Sequence, residues 1–137
     1  MPEERLTVVL DTHAWIWLMN GQPLADAARE AIAAAAAHGA VLVPAIAVWE
    51  VGMLEAKGRL ALDGPVLAWV ERALAAPGVQ LAPLTPRIAI DSTALPGELH
   101  GDPADRLIVA TARQHDALLV TRDAKLLGYG FVSTVAA

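Results

Sequence analysis

The chain has 137 residues, enough for one ordinary domain with a buried core, and its 55% hydrophobic content excludes an intrinsically disordered protein. It contains no cysteine, which excludes a disulfide framework, a thiol nucleophile and a thiolate metal site. The net charge of −5 disfavours a protein that coats nucleic acid non-specifically, but it is compatible with a nuclease whose acidic residues bind metal ions.

Short apolar runs alternate along the chain with helical patterns. The apolar runs predict strands at 6–10, 40–43, 79–84 and 117–121, and a weaker one at 131–135. Helices are predicted at 13–19, 25–37, 45–57, 65–75, 86–95 and 103–115. Buried strands separated by helices are typical of a parallel sheet covered on both faces. We therefore expect one α/β domain over residues 1–137, built as a three-layer α/β/α sandwich.

One uncharged stretch, residues 31–49, approaches the length of a membrane span. His38-Gly39 and Pro44 divide it into a helix end, a short strand and a new helix start, so we reject a membrane-spanning interpretation. The N-terminal segment 1–5 is acidic and does not resemble a secretory signal. We expect a soluble cytoplasmic protein.

Four carboxylates occupy positions that converge in such a fold. Asp11 follows the first strand and Asp123 follows the strand at 117–121. Ligand sites of open parallel sheets lie beyond the carboxyl ends of the strands. Asp105 lies in the first turn of the helix before that strand, where the helix dipole favours its charge. Glu50 lies in a helix among apolar neighbours, where a charge is rarely buried without a partner.

Converging carboxylates raise one another's pKa unless a cation is present. A divalent ion would remove this penalty and would lower the pKa of bound water. An all-oxygen site in a chain without cysteine favours Mg²⁺ or Mn²⁺.

Structural roles are open for the same residues. Asp11 could equally cap the helix that follows it, and Asp123 could open a turn. Asp102 is assigned to capping the 103–115 helix, with a supporting role at the acidic site as the minority interpretation, and Asp105 could stabilise the same helix start.

His13 and His100 lie near the acidic segments and are candidates for substrate contact. The four tryptophans fall on predicted helices and are interpreted as core or dimer-interface anchors rather than base-stacking platforms; they are Trp15, Trp17, Trp49 and Trp69.

Four segments together resemble the PIN-domain family, and more narrowly the VapC-type toxins of prokaryotic type II toxin–antitoxin modules. They are VLDTH at 9–13, VWEV at 48–51, HGDPADRLI at 100–108 and LVTRD at 119–123. The resemblance runs from about residue 8 to residue 131, and the segment around Asp105 is its most specific part.

The resemblance implies a central five-stranded parallel sheet and a Mg²⁺- or Mn²⁺-dependent endoribonuclease that cleaves RNA phosphodiesters with a metal-activated water. Asp11 and Asp105 would hold the main ion, with Asp123 assisting. Glu50 would orient or deprotonate the attacking water or help to bind a second ion, and Thr121 matches a hydroxyl position that supports the site. The candidates for contact with RNA are Arg106, Arg122, Lys125 and His13.

The implied partners are an RNA substrate, a cognate antitoxin protein and a second copy of the chain in a homodimer, with no membrane. One departure is that the family often has Ser or Thr shortly before the helical Glu, where this chain has Ala45-Ile46-Ala47. That hydroxyl is missing or supplied elsewhere.

Two alternatives stay open: a non-catalytic PIN-fold binding module, and a phosphohydrolase with Asp11 as nucleophile. The second usually has another Asp two residues later, where this chain has His13.

Overall fold

The computed structural model of the chain describes residues 6–137, so the segment 1–5 discussed above lies outside the described residues. The strands are β1 (Val8–Leu10), β2 (Val41–Pro44), β3 (Val79–Ala82), β4 (Leu118–Thr121) and β5 (Thr134–Ala136). The helices are α1 (Thr12–Met19), α2 (Asp26–Ala36), α3 (Ala45–Ala56), α4 (Val66–Leu74), α5 (Pro86–Thr93), α6 (Pro103–Gln114) and α7 (Ala124–Leu127).

The five strands form one parallel sheet in the order β3-β2-β1-β4-β5, which confirms the predicted fold class. In the central strand β1, Val9 pairs with Leu42 of β2, and Leu10 pairs with Val120 of β4. The chain runs outward from β1 through β2 to β3 and then returns to β4 on the other side of β1. The direction of winding therefore reverses beside β1, and a crevice opens there beyond the carboxyl ends of β1 and β4.

Side chains of β1 alternate between two hydrophobic cores, one on each face of the sheet. Val8 and Leu10 pack into a core with residues of α1, α2, α3 and α4. Val9 packs into the other core with residues of α5, α6 and α7. Because successive strand residues point to opposite faces, three consecutive apolar residues are buried completely only where helices cover both sides. This arrangement gives the three layers predicted from the sequence.

The element boundaries differ from the predictions chiefly near the C-terminus. The short helix α7 was not predicted, because a single turn is too short to show a helical period. The last strand lies at Thr134–Ala136 rather than at 131–135, and Phe131 is 53% exposed instead of contributing to a strand. Among the described residues, no helix is long and apolar enough to cross a membrane, and the stretch 31–49 is divided among α2, β2 and α3 as expected.

Candidate active site

Asp11 lies at the junction of β1 and α1 and uses both of its carboxylate oxygens. Its Oδ1 accepts the backbone N–H of Ala14 at 2.8 Å, which caps α1. Its Oδ2 accepts the hydroxyl of Thr121 at 2.6 Å. The pairing of β1 with β4 brings these two buried residues together although 110 positions separate them in the chain. Burial raises the pKa of Asp11, and the Thr121 hydrogen bond acts in the opposite direction.

Glu50 on α3 is anchored to the first residue of α1. The Thr12 hydroxyl donates to Glu50 Oε1 at 2.5 Å. Burial raises the pKa of Glu50, and the Thr12 hydrogen bond partly offsets this increase. Thr12 was not predicted as a site residue, although it lies inside the VLDTH segment directly after Asp11. A hydroxyl that contacts Glu50 is therefore present on α1, although none is available from Ala45-Ile46-Ala47.

Asp102 caps α6, and Asp105 lies in the first turn of that helix, as predicted. Asp102 Oδ1 accepts the backbone N–H of Asp105 at 2.8 Å. The pKa of Asp105 is raised from 3.8 to about 6, first by burial and then by the negative charges of Asp102 and Asp123. Lys125 lowers it, since Lys125 Nζ lies 4.0 Å from Asp105 Oδ2. A Cβ atom on Gly101 would lie only 2.9 Å from Asp105 Cβ, so glycine leaves room for this carboxylate.

Asp123 connects the end of β4 to α7. Its Oδ1 accepts the backbone N–H of Lys125 at 2.8 Å and so caps the short helix. Its own N–H donates to Thr121 Oγ1 at 3.0 Å. The Thr121 hydroxyl therefore donates to Asp11 and accepts from Asp123, which fixes the two acidic segments relative to each other. The helix-capping and turn-forming alternatives for Asp11 and Asp123 are correct, and they coexist with a position in the acidic site.

All four predicted site acids line one open cleft of about 480 Å³ at the carboxyl end of the sheet, together with Asp102. The other lining residues are Thr12, His13, Trp17, Ile108, Arg122 and Lys125. Five carboxylates against two basic side chains give this lining a formal charge of −3 with histidine neutral. Within residues 6–137, no three His, Asp or Glu side chains are gathered closely enough to form a ready-made metal centre. The acids thus share a cleft without forming a complete coordination sphere.

The structure places three of the four candidate RNA contacts, His13, Arg122 and Lys125, in the cleft lining. Arg106 is outside it. Its Nε donates to the Ser92 carbonyl at 2.8 Å, and its Nη1 donates to the Leu99 carbonyl at 3.1 Å. Arg106 therefore ties the loop before α6 to the end of α5.

The four tryptophans have different environments. Trp15 and Trp69 are buried in the core and meet edge to face with ring centroids 5.0 Å apart, which confirms the core interpretation for this pair. Trp49 is 57% exposed. Trp17 is half-buried and lines the acidic cleft, so the core-or-interface interpretation is incomplete for this residue.

Comparisons with known proteins point to one family. The family model of the PIN domain matches residues 8–132. A protein named Ribonuclease VapC22 from Mycobacterium tuberculosis (strain ATCC 25618 / H37Rv) is 41% identical over 121 residues, which cover 88% of this chain and 89% of that protein.

Solved structures share the fold at lower identity. The DNA-bound VapBC from Salmonella typhimurium matches with a TM-score of 0.71 and 18% identity, over 96% of this chain and 98% of that chain. A toxin–antitoxin complex from Klebsiella pneumoniae matches with a TM-score of 0.62 and 23% identity, over 94% of this chain and 96% of that chain. These structural matches support the fold assignment.

Proposed function

The chain belongs to the PIN-domain family, and we propose that it is a divalent-metal-dependent endoribonuclease that hydrolyses RNA phosphodiester bonds. The observation that carries this proposal is the convergence of Asp11, Glu50, Asp105 and Asp123 on one cleft at the carboxyl end of the sheet. The 41% identity to a protein named a ribonuclease supports RNA as the substrate.

The donor set of the cleft fits a hard divalent ion. Asp11, Asp105 and Asp123 would hold it, because carboxylate oxygens are the ligands that Mg²⁺ and Mn²⁺ prefer. The raised pKa values of Asp11 and Asp105 express the cost of holding buried carboxylates near one another without a counter-cation. When bound, Mg²⁺ or Mn²⁺ would neutralise charge on the scissile phosphate and make a nearby water more acidic.

Glu50 is the proposed base for the attacking water. Its raised pKa makes it a better proton acceptor than an exposed glutamate, because the ionised form is less stable in the half-buried site. Thr12 fixes one carboxylate oxygen and so sets the orientation of Glu50. The Thr121 hydroxyl likewise fixes one carboxylate oxygen of Asp11, and it accepts the backbone N–H of Asp123.

Lys125 is the proposed phosphate contact. Its side chain is 55% exposed, and its ammonium group lies at the limit of ion-pair distance from Asp105. A phosphate in the cleft would meet this positive charge without displacing a buried hydrogen bond.

We further propose that the chain is the toxin of a type II toxin–antitoxin pair, acts in the cytoplasm and forms a homodimer. The VapC name of the 41%-identical relative and the toxin–antitoxin complex among the structural matches support an antitoxin partner. The negative cleft favours a basic side chain of such a partner. Large exposed apolar side chains, including Trp49, Leu81 and Ile90, offer surface that a second copy or the antitoxin could cover.

RNA cleavage by the purified chain tests the proposed activity. We expect cleavage with Mg²⁺ or Mn²⁺, none with EDTA, and a loss of at least about 100-fold in Asp11→Asn, because this change removes a charge from the proposed ion ligands. Asp91→Asn, an exposed α5 carboxylate outside the cleft lining, serves as the matched control and should cleave like the parent. Cleavage that survives EDTA, or an Asp11→Asn variant as active as the parent, would refute the mechanism.

A further inference from the structure

One wall of the acidic cleft is made of flat side chains rather than carboxylates. His13 and Trp17 lie one turn apart on the same face of α1, with ring centroids 5.8 Å apart and an interplanar angle of 42°. The guanidinium carbon of Arg122 lies 4.0 Å from the centroid of the Trp17 ring. All three side chains line the same cleft as the proposed catalytic acids.

Arg122 is held in place by the protein itself. Its Nε donates to the Ala137 carbonyl at 2.9 Å, and its Nη2 donates to the Pro23 carbonyl at 3.1 Å. These two hydrogen bonds and the Trp17 ring fix the plane of the guanidinium group. Arg122 is therefore a positioning residue that supports the Trp17 ring, and only part of its donor capacity remains for a phosphate.

The outer member of this wall is His13. Its side chain is exposed, whereas the Trp17 ring is half-buried and covered by Arg122. A π surface in the same cleft as the proposed phosphate contact is the feature on which unpaired nucleobases stack, and bases in a duplex do not offer their faces in this way. The five carboxylates of the cleft offer no such surface to a base.

We infer that His13 and Trp17, with Arg122 as support, form a base-stacking subsite for an unpaired nucleobase next to the scissile phosphate. This inference rests on the proposed RNA cleavage and adds to it a subsite that none of the acidic residues provides. The main competing role for His13 is a charge contact with a phosphate, because a protonated histidine could also bind the backbone. Stacking requires a ring and an RNA base, whereas a charge contact requires neither.

The test uses His13, because substitution of an exposed residue does not threaten the fold. Binding would be measured by fluorescence anisotropy in Mg²⁺ on a Glu50→Gln background, in which cleavage should be blocked. The probes are a short labelled single-stranded RNA and a strand of the same length made of abasic nucleotides. The variants are His13→Ala, His13→Phe and the matched control His38→Ala, an exposed histidine outside the cleft lining.

We expect His13→Ala to weaken binding of the RNA about tenfold and to leave binding of the abasic strand unchanged, since stacking of one base on a ring is lost. His13→Phe should keep RNA affinity within about threefold of the parent, because the ring is retained without the charge. His38→Ala should bind both strands like the parent.

Equal weakening of both strands by His13→Ala would overturn the stacking subsite in favour of a phosphate contact. The same conclusion would follow if His13→Phe bound RNA as weakly as His13→Ala, or if the parent bound RNA no more tightly than the abasic strand. If the parent bound neither strand, both the subsite and the proposed RNA cleavage would fail, so the two failures are distinguishable.

Discussion

Replacement of Asp105 by Asn should stabilise the metal-free protein. The pKa of Asp105 is raised from 3.8 to about 6 by burial and by the nearby charges of Asp102 and Asp123. Between these two pH values the folded state binds more protons than the unfolded state, so the free energy of unfolding falls as pH rises. The loss of stability caused by the ionised Asp105 carboxylate is absent below about pH 4 and fully present above about pH 6.

The size of this effect follows from the pKa difference. The rise in the pKa of Asp105 from 3.8 to about 6 corresponds to about 3 kcal/mol of lost stability at pH 7 for a fully desolvated group. The Asp105 side chain is 20% exposed and faces an open cleft, so solvent screening reduces this figure. We expect Asp105→Asn to gain about 1–2 kcal/mol at neutral pH, because the loss of the long contact with Lys125 opposes it only slightly. The backbone N–H that Asp102 accepts is unchanged by the substitution.

Urea unfolding in EDTA across the range from pH 4 to pH 7 measures this difference. Asp91→Asn, on the exposed face of α5, is the control for removal of one negative charge from the whole protein. An Asp105→Asn variant that is no more stable than the parent at pH 7, or whose advantage is the same at pH 4, would contradict this electrostatic origin. Added Mg²⁺ should then raise the melting temperature of the parent and have less effect on Asp105→Asn, because ligand binding stabilises only the state that binds it.

Two further substitutions test how the carboxylates are held. Thr121→Val removes the hydroxyl that donates to Asp11 Oδ2, and we expect a loss of about 1–3 kcal/mol in unfolding free energy and weaker Mg²⁺ binding by calorimetric titration. Thr121→Ser should restore both, and a valine variant that binds Mg²⁺ like the parent would contradict the proposal. Gly101→Ala should displace Asp105 and lower Mg²⁺ affinity and RNA cleavage with little change in melting temperature, whereas Gly130→Ala, with nothing within 4 Å of the added Cβ, should change neither.

The sheet could be predicted from the sequence because its strands are short, apolar and buried on both faces. Such runs differ from the amphipathic helices around them, and parallel pairing follows from the alternation of strands and helices. The last strand was misplaced because the edge strand β5 is only partly buried. Its apolar pattern does not distinguish it from the apolar pair Phe131-Val132 that precedes it. The helix α7 was missed because its only sequence signal is the capping Asp123.

The acids of the site could be placed because the ends of parallel strands meet at one edge of the sheet. The cleft wall on α1 could not be predicted, because six of the eight residues of α1 are apolar and do not indicate which face packs inward. Trp15 and Trp17 are two positions apart, about 200° around a helix, so they point to different sides. Trp15 enters the core, and Trp17 joins His13 at the cleft. The spacing of four between His13 and Trp17 is the signal that could have revealed this face.

Three of the cleft acids, Asp11, Asp102 and Asp123, each cap a helix through Oδ1, and this structural role is compatible with the role proposed for them at the acidic site. The backbone N–H groups at a helix start partly compensate a carboxylate that has no cation beside it. Asp105 lies in the first turn of α6, which is capped by Asp102 and not by the Asp105 carboxylate, and its pKa is raised to about 6. The pKa of Asp105 is raised by burial and, after that, by the charges of Asp102 and Asp123, so a bound cation should lower it. The pH dependence of Asp105→Asn thus measures the electrostatic cost that the proposed metal ion would remove.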